Sequence, residues 1–227
     1  SMKKPALPCA VLTLLFVSCA ATQPSVGRED KPTPPTRPVS KATVQLTIEE
    51  QQKQSLDLFN KILELSQEND RSTVLDKMSE IYFQIIDQYP DAPLAQESYW
   101  RLVEIYLKDY RPPRKEEALL LYQELKNRYP DSPLKDPVQS SISRFFYTNQ
   151  MWNDLIAFER PYVEEFIKSG KLANPTHLFL FSEAKLNLKD VKEAYKGYKI
   201  VLKFFPQSSE AKIAQERMKT IGTQEDK

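Results

Sequence analysis

Glycine is nearly missing from this chain: its 227 residues hold 4. Such scarcity removes the punctuation that turn-rich β architectures need. It also leaves no glycine-rich phosphate loop and no nucleophile elbow. Cysteine occurs twice, at Cys9 and Cys19, and histidine once, at His177. Neither a sulfur-built redox or metal site nor a histidine cluster follows from that inventory. Net charge is small too, with 32 Lys and Arg against 31 Asp and Glu. The signs are interleaved along the chain, no basic stripe stands out, and nucleic-acid binding is not expected. Long apolar runs are the last shortage. The longest, Ala6 to Val17, is about a dozen residues broken by Pro8, too short to span a bilayer.

That short run has a reading of its own. Lys3 and Lys4, the apolar stretch, and the small residues Ser18, Cys19, Ala20 and Ala21 together form an export signal. The sequence FVSC, Phe16 to Cys19, resembles the lipobox of bacterial lipoproteins, with Phe16 where Leu is usual. The resemblance implies cleavage before Cys19 and acylation of Cys19. With Ala20 following, it also implies sorting to the outer membrane. The alternative is cleavage after Ala21, leaving a soluble periplasmic protein. On the first reading residues 1–18 are a signal peptide and Cys19 is the lipidation site. Residues 19–45 then form a tether rich in proline (Pro24, Pro32, Pro34, Pro35, Pro38). At about 3.1 Å per residue such a segment reaches on the order of 80 Å at most. Loss of Cys9 with the signal would leave one blocked cysteine and no disulfide.

Residues 46–227 read differently. The stretch QYPDAPLA, Gln88 to Ala95, returns forty residues on as RYPDSPLK, Arg128 to Lys135. A looser copy, FFPQSSEA, puts Phe205-Pro206 a further seventy-six residues along, close to two such periods. In each copy an aromatic ends a helical run and proline stops it, having no N–H and disfavouring α geometry before it. Ser132-Pro133 then supplies a capping side chain and a residue suited to a first helical turn. Helix–stop–helix at this period is the mark of an α-solenoid. Apolar spacings of three and four predict nine helices. They fall near 47–66, 72–88, 93–109, 114–127, 136–149, 151–169, 174–188, 190–204 and 208–221, four hairpins plus a terminal capping helix. Thr47 and Glu50 make a capping box for the first. Pro161 should kink or split the sixth, and the unit ending near Gly170 is degenerate.

At these residues the chain resembles tetratricopeptide repeats. The fullest match runs from Phe181 to Pro206, with the large–small pair Phe181 and Ser182, then Ala194, Tyr198 and the terminal Pro206. The unit from Tyr99 to Pro130 repeats it with Ala118, Tyr122 and Pro130, Val103 standing where a small residue is usual. Joined to the lipobox, the YPDSP-type turn looks like the BamD-like lipoproteins of the outer-membrane β-barrel assembly machinery. It looks nearly as much like CpoB/YbgF-type periplasmic repeats linked to the Tol system.

Members of the repeat family hold extended peptides or partner helices along the first helix of each hairpin. Carried to the matching positions, the resemblance implies partner-binding roles for Trp100, Glu104 and Leu107, for Arg144 and Tyr147, and for Phe179, Glu183 and Leu186. The plainer alternative buries the aromatics Trp100, Tyr147 and Phe179 between helices. His177 reads as a cap or a surface residue. Glu49-Glu50, Glu116-Glu117 and Glu164-Glu165 are adjacent pairs that diverge on a helix, whereas acid–base catalysis needs convergence. Ser140, Ser141 and Ser143 have no base nearby in sequence. No catalytic residue, metal, cofactor or small-molecule substrate is expected. The resulting expectation is an all-α, lipid-anchored scaffold for envelope proteins on the periplasmic face of the outer membrane, leading towards outer-membrane protein assembly. The alternatives are a Tol- or peptidoglycan-linked adaptor and a non-catalytic accessory subunit of an envelope enzyme or secretion complex.

Overall fold

A computed structural model describes residues 46–67, 70–171 and 173–225 of the chain, with side chains to residue 222. The expected signal peptide, Cys19 and the tether, residues 1–45, lie outside the described residues. All the described residues belong to one unit, Pro38–Lys227. Among them are nine α-helices and no strand: α1 Ile48–Leu65, α2 Leu75–Gln88, α3 Pro93–Lys108, α4 Lys115–Arg128, α5 Lys135–Thr148, α6 Trp152–Ser169, α7 Thr176–Asn187, α8 Val191–Phe204 and α9 Ser209–Glu225. A four-residue 3-10 turn, Arg71–Val74, leads into α2, whose expected start lay three residues earlier.

Local chemistry sets the ends. Thr47 accepts from the Glu50 backbone at 3.2 Å while Glu50 accepts from the Thr47 backbone at 2.8 Å, completing the capping box of α1. Asp190 caps α8 through the Glu193 N–H, and Gly170 ends α6 in the left-handed region at φ 67. The three aromatic–proline stops share one backbone geometry. Tyr89, Tyr129 and Phe205 have φ −129, −130 and −134 with ψ 55, 71 and 53. Each N–H bonds the fourth residue back at 2.9 to 3.0 Å, and each carbonyl accepts from the residue three ahead at 3.0 to 3.1 Å.

Pro161 does not split α6, which runs unbroken from Trp152 to Ser169. The residue whose carbonyl it leaves unbonded is Ala157, and both are exposed. Water can meet that carbonyl, so the lost hydrogen bond falls on the side where it costs least.

Every helix packs on its sequence neighbour, and each odd-numbered helix also packs on the next odd one, from α1 through α3, α5 and α7 to α9. Polar bonds repeat the same step. Gln51 pairs with Asp91, Tyr129 with the Pro90 carbonyl, Lys115 with Asp154, Tyr122 with Tyr162 and Gln139 with His177, each partner 38 to 40 residues away. Two apolar cores result. The larger draws on α1 to α7, with Ile85, Tyr99, Leu102, Leu125 and Leu155 fully buried. The smaller joins Val163 and Phe166 of α6 to α7, α8 and α9. Burying each such large side chain contributes roughly 1.5 to 3 kcal/mol.

Candidate functional site

Among the described residues, a groove opens at each of two places along the odd-numbered helices. The first, about 390 Å³, lies between α1 and α3, with Phe59 and Leu63 on one side and Trp100 and Glu104 on the other. Met78 and Tyr82 of the intervening α2 line it from within the core. Leu63, 48% exposed, leaves an apolar edge on α1. The Trp100 indole N–H is buried and is the one unpartnered buried side-chain donor among the described residues. An unmet donor of this kind costs about 1 to 3 kcal/mol.

The second groove, about 300 Å³, runs between α5 and α7 over α6. Its base is polar. Glu159, fully buried, accepts from the Ser143 hydroxyl at 2.5 Å and pairs with His177 Nδ1 at 2.7 Å. His177 also touches the Gln139 amide at 2.8 Å and stacks on Tyr162 with ring centroids 4.3 Å apart and planes 8° from parallel. The Tyr162 hydroxyl meets that of Tyr122 at 2.8 Å, and burial leads in pushing both hydroxyls above their ordinary value. At the rim Arg144 is exposed and Tyr147 half-buried, its hydroxyl donating to Glu183 at 3.1 Å. Burial raises Tyr147 as well, aided by the Glu183 charge.

Chemically the base of this groove is a clamp. In nucleophilic triads the imidazole stands between hydroxyl and carboxylate and takes the hydroxyl proton. Here the carboxylate stands between, so Ser143 donates to Glu159 and His177 does not reach it. The polar groups join α5, α6 and α7 at one point. Among the described residues no group of three or more His, Cys, Asp or Glu is spaced to hold a metal ion.

The expected partner-binding positions divide. Trp100 and Glu104 meet in the first groove, Arg144 and Tyr147 in the second. Leu107 is 2% exposed, because α3 is covered by α1, α2, α4 and α5 and the run Ile105–Tyr106–Leu107 is buried throughout. Phe179 and Glu183 face inward onto α8 and α9, Phe179 with its ring 6.3 Å from Tyr198. These three belong to the interior rather than to a groove wall. Leu186 is half-buried against the smaller core and lines neither groove. His177 is no surface cap, since its ring is held in the polar base. Sequence alone does not point to Glu159 or to the role of Ser143; the one signal for Glu159 is an acid directly after the apolar run Leu155 to Phe158 of α6. No family model matches the chain, and no curated protein matches it. No helix among the described residues is long and apolar enough to cross a membrane.

Proposed function

We propose that the chain is a non-catalytic scaffold in which a row of first helices presents grooves to segments of other proteins. The observation that carries this is the packing of α1, α3, α5, α7 and α9 on one another, with both grooves on that row. Polar bonds stepping 38 to 40 residues support a tetratricopeptide-type solenoid, in which equivalent positions of successive hairpins stack. With the lipobox at Cys19, the reading becomes a lipid-anchored protein at the periplasmic face of the outer membrane. There the tether raises the effective concentration of groove and partner. Assembly of outer-membrane proteins is the leading role. A Tol- or peptidoglycan-linked adaptor and an accessory subunit of an envelope enzyme or secretion complex are its alternatives.

Photo-crosslinking tests it. A crosslinkable residue placed at Leu63 or Arg144, on the odd row, should capture discrete envelope proteins in cells. One at Leu120, 49% exposed on α4, should not. Capture from Leu120 alone, or from none of the three, sinks the scaffold reading. The anchor is tested separately: Cys19→Ala should abolish fatty-acid labelling and release the chain from membranes.

A further inference from the structure

We propose that the outer face of α8, with the adjoining end of α6, docks on the surface of an anionic lipid bilayer. This goes beyond the scaffold reading and does not rest on it.

Balance of charge over the whole chain conceals a local excess. Lys192, Lys196, Lys199 and Lys203 follow one another at steps of four, three and four, which sets them on one helix face. All four are exposed, while Ala194, Gly197, Tyr198 and Val201 take the opposite, buried side. Within Val191–Phe204 the one acid is Glu193, paired with Lys196 at 2.7 Å. Among the described residues Lys192, Lys199 and Lys203 pair with no carboxylate. Two of them lie over rings, Lys199 over Tyr195 at 5.1 Å and Lys203 over Phe204 at 5.6 Å.

The stripe ends in apolar surface. Phe204 is 46% exposed and meets Phe166 of α6 edge-on at 5.8 Å. Beside Phe166 stands Ile167, 71% exposed, followed by the exposed Lys168. An isoleucine so placed adds little to the core, and the fold gives no reason for it. Cations in a row beside an aromatic and an aliphatic side chain match a bilayer interface. Headgroup phosphates meet the ammonium groups while the acyl boundary takes Ile167 and Phe204. A nucleic-acid backbone would satisfy the lysines but has no place for Ile167.

The test uses the full chain and reads lysine acylation rates residue by residue. Vesicles of phosphatidylcholine, with and without phosphatidylglycerol, are the probes. Site-resolved rates separate α8 from any binding through residues 1–45. With phosphatidylglycerol present, Lys192, Lys199 and Lys203 should slow by about tenfold. The exposed lysines Lys53, Lys61 and Lys77 of α1 and α2 should keep their rates, and phosphatidylcholine alone should protect none. Ile167→Ser, at an exposed site, should raise the lipid concentration needed for protection by about tenfold. Equal slowing at all lysines, no slowing, or protection by both vesicle types alike would overturn the proposal. So would protection by duplex DNA or an acidic polypeptide in place of vesicles.

Discussion

Tyrosine hydroxyls carry much of the polar cross-linking inside this protein, and they carry its alkaline limit with it. Tyr99 donates to Glu124 at 2.6 Å, Tyr198 to Glu183 at 2.5 Å, and Tyr122 meets Tyr162. Burial is the leading cause that pushes the hydroxyls of Tyr99, Tyr122 and Tyr198 up, and Tyr106 is pushed up to about 12 by burial and then by Tyr110. A group held above its unfolded value of 10.0 contributes stability in full below that pH. The contribution is lost as pH climbs through the folded value. Unfolding free energy should therefore be insensitive to these groups near neutrality and fall from about pH 10 upward. Urea melts across the alkaline range check it; a midpoint unchanged up to pH 12 would contradict the assignment.

Glu183 shows why some of the residue-scale picture was hidden from the sequence. As a helical glutamate one turn from Phe179 it reads as a groove position. In the fold it is 1% exposed, with its oxygens shared among Tyr147, Tyr198 and a two-point bond from Arg217 at 3.1 and 3.2 Å. Those partners sit on α5, α8 and α9, at separations of 15 to 36 residues. Periodicity reports which face of a helix is apolar, and says nothing of a buried carboxylate whose cation comes from another helix. Glu159 was missed because its partners Ser143 and His177 likewise come from other helices, α5 and α7. The lysine stripe was in plain sight, but charge counted over the whole chain averages it away.

At the scale of elements, α7 and α8 approach each other through Gly197. A Cβ there would lie 1.9 Å from the Ser182 hydroxyl oxygen and 3.1 Å from its Cβ, with Leu178 next at 3.5 Å. Ser182 is buried and bonds the Leu178 carbonyl at 2.7 Å, so its hydroxyl has little freedom to turn aside. Gly197→Ala should therefore destabilise by about 1 to 3 kcal/mol through overpacking, despite the better helix propensity of alanine. Adding Ser182→Gly should recover part of the loss in a double-mutant cycle. Chemical denaturation of the four species measures it, and additive effects would mean the two helices do not meet there. Element boundaries were the most legible layer. Thr47 with Glu50, and the aromatic–proline stops at Tyr89, Tyr129 and Phe205, act through bonds within a few residues, which a local reading can see. Pro161 leaves α6 unsplit because its cost depends on which side of the helix faces water, and that is settled by packing.

For the unit as a whole, the two cores set the order of opening. The larger is shared by seven helices, α1 to α7, whereas the smaller rests on α7, α8 and α9 with Val163 and Phe166. In a stack bound by neighbour contacts, stability is approximately a sum of local terms. Amides of α8 and α9 should exchange through a partial opening that leaves α2 to α5 protected. Native-state hydrogen exchange in low denaturant decides, and a single isotherm shared by all the helices would refute it.

That same neighbour-to-neighbour packing governs how the unit answers force. An end helix has neighbours on one side alone, so the unit can be peeled from its ends. A pull applied at the two ends would then load α9 among the first elements, where Arg217 and Glu183 form a polar latch. Under load the unit would lengthen in successive small yields, behaving as a spring in series with whatever holds its other end.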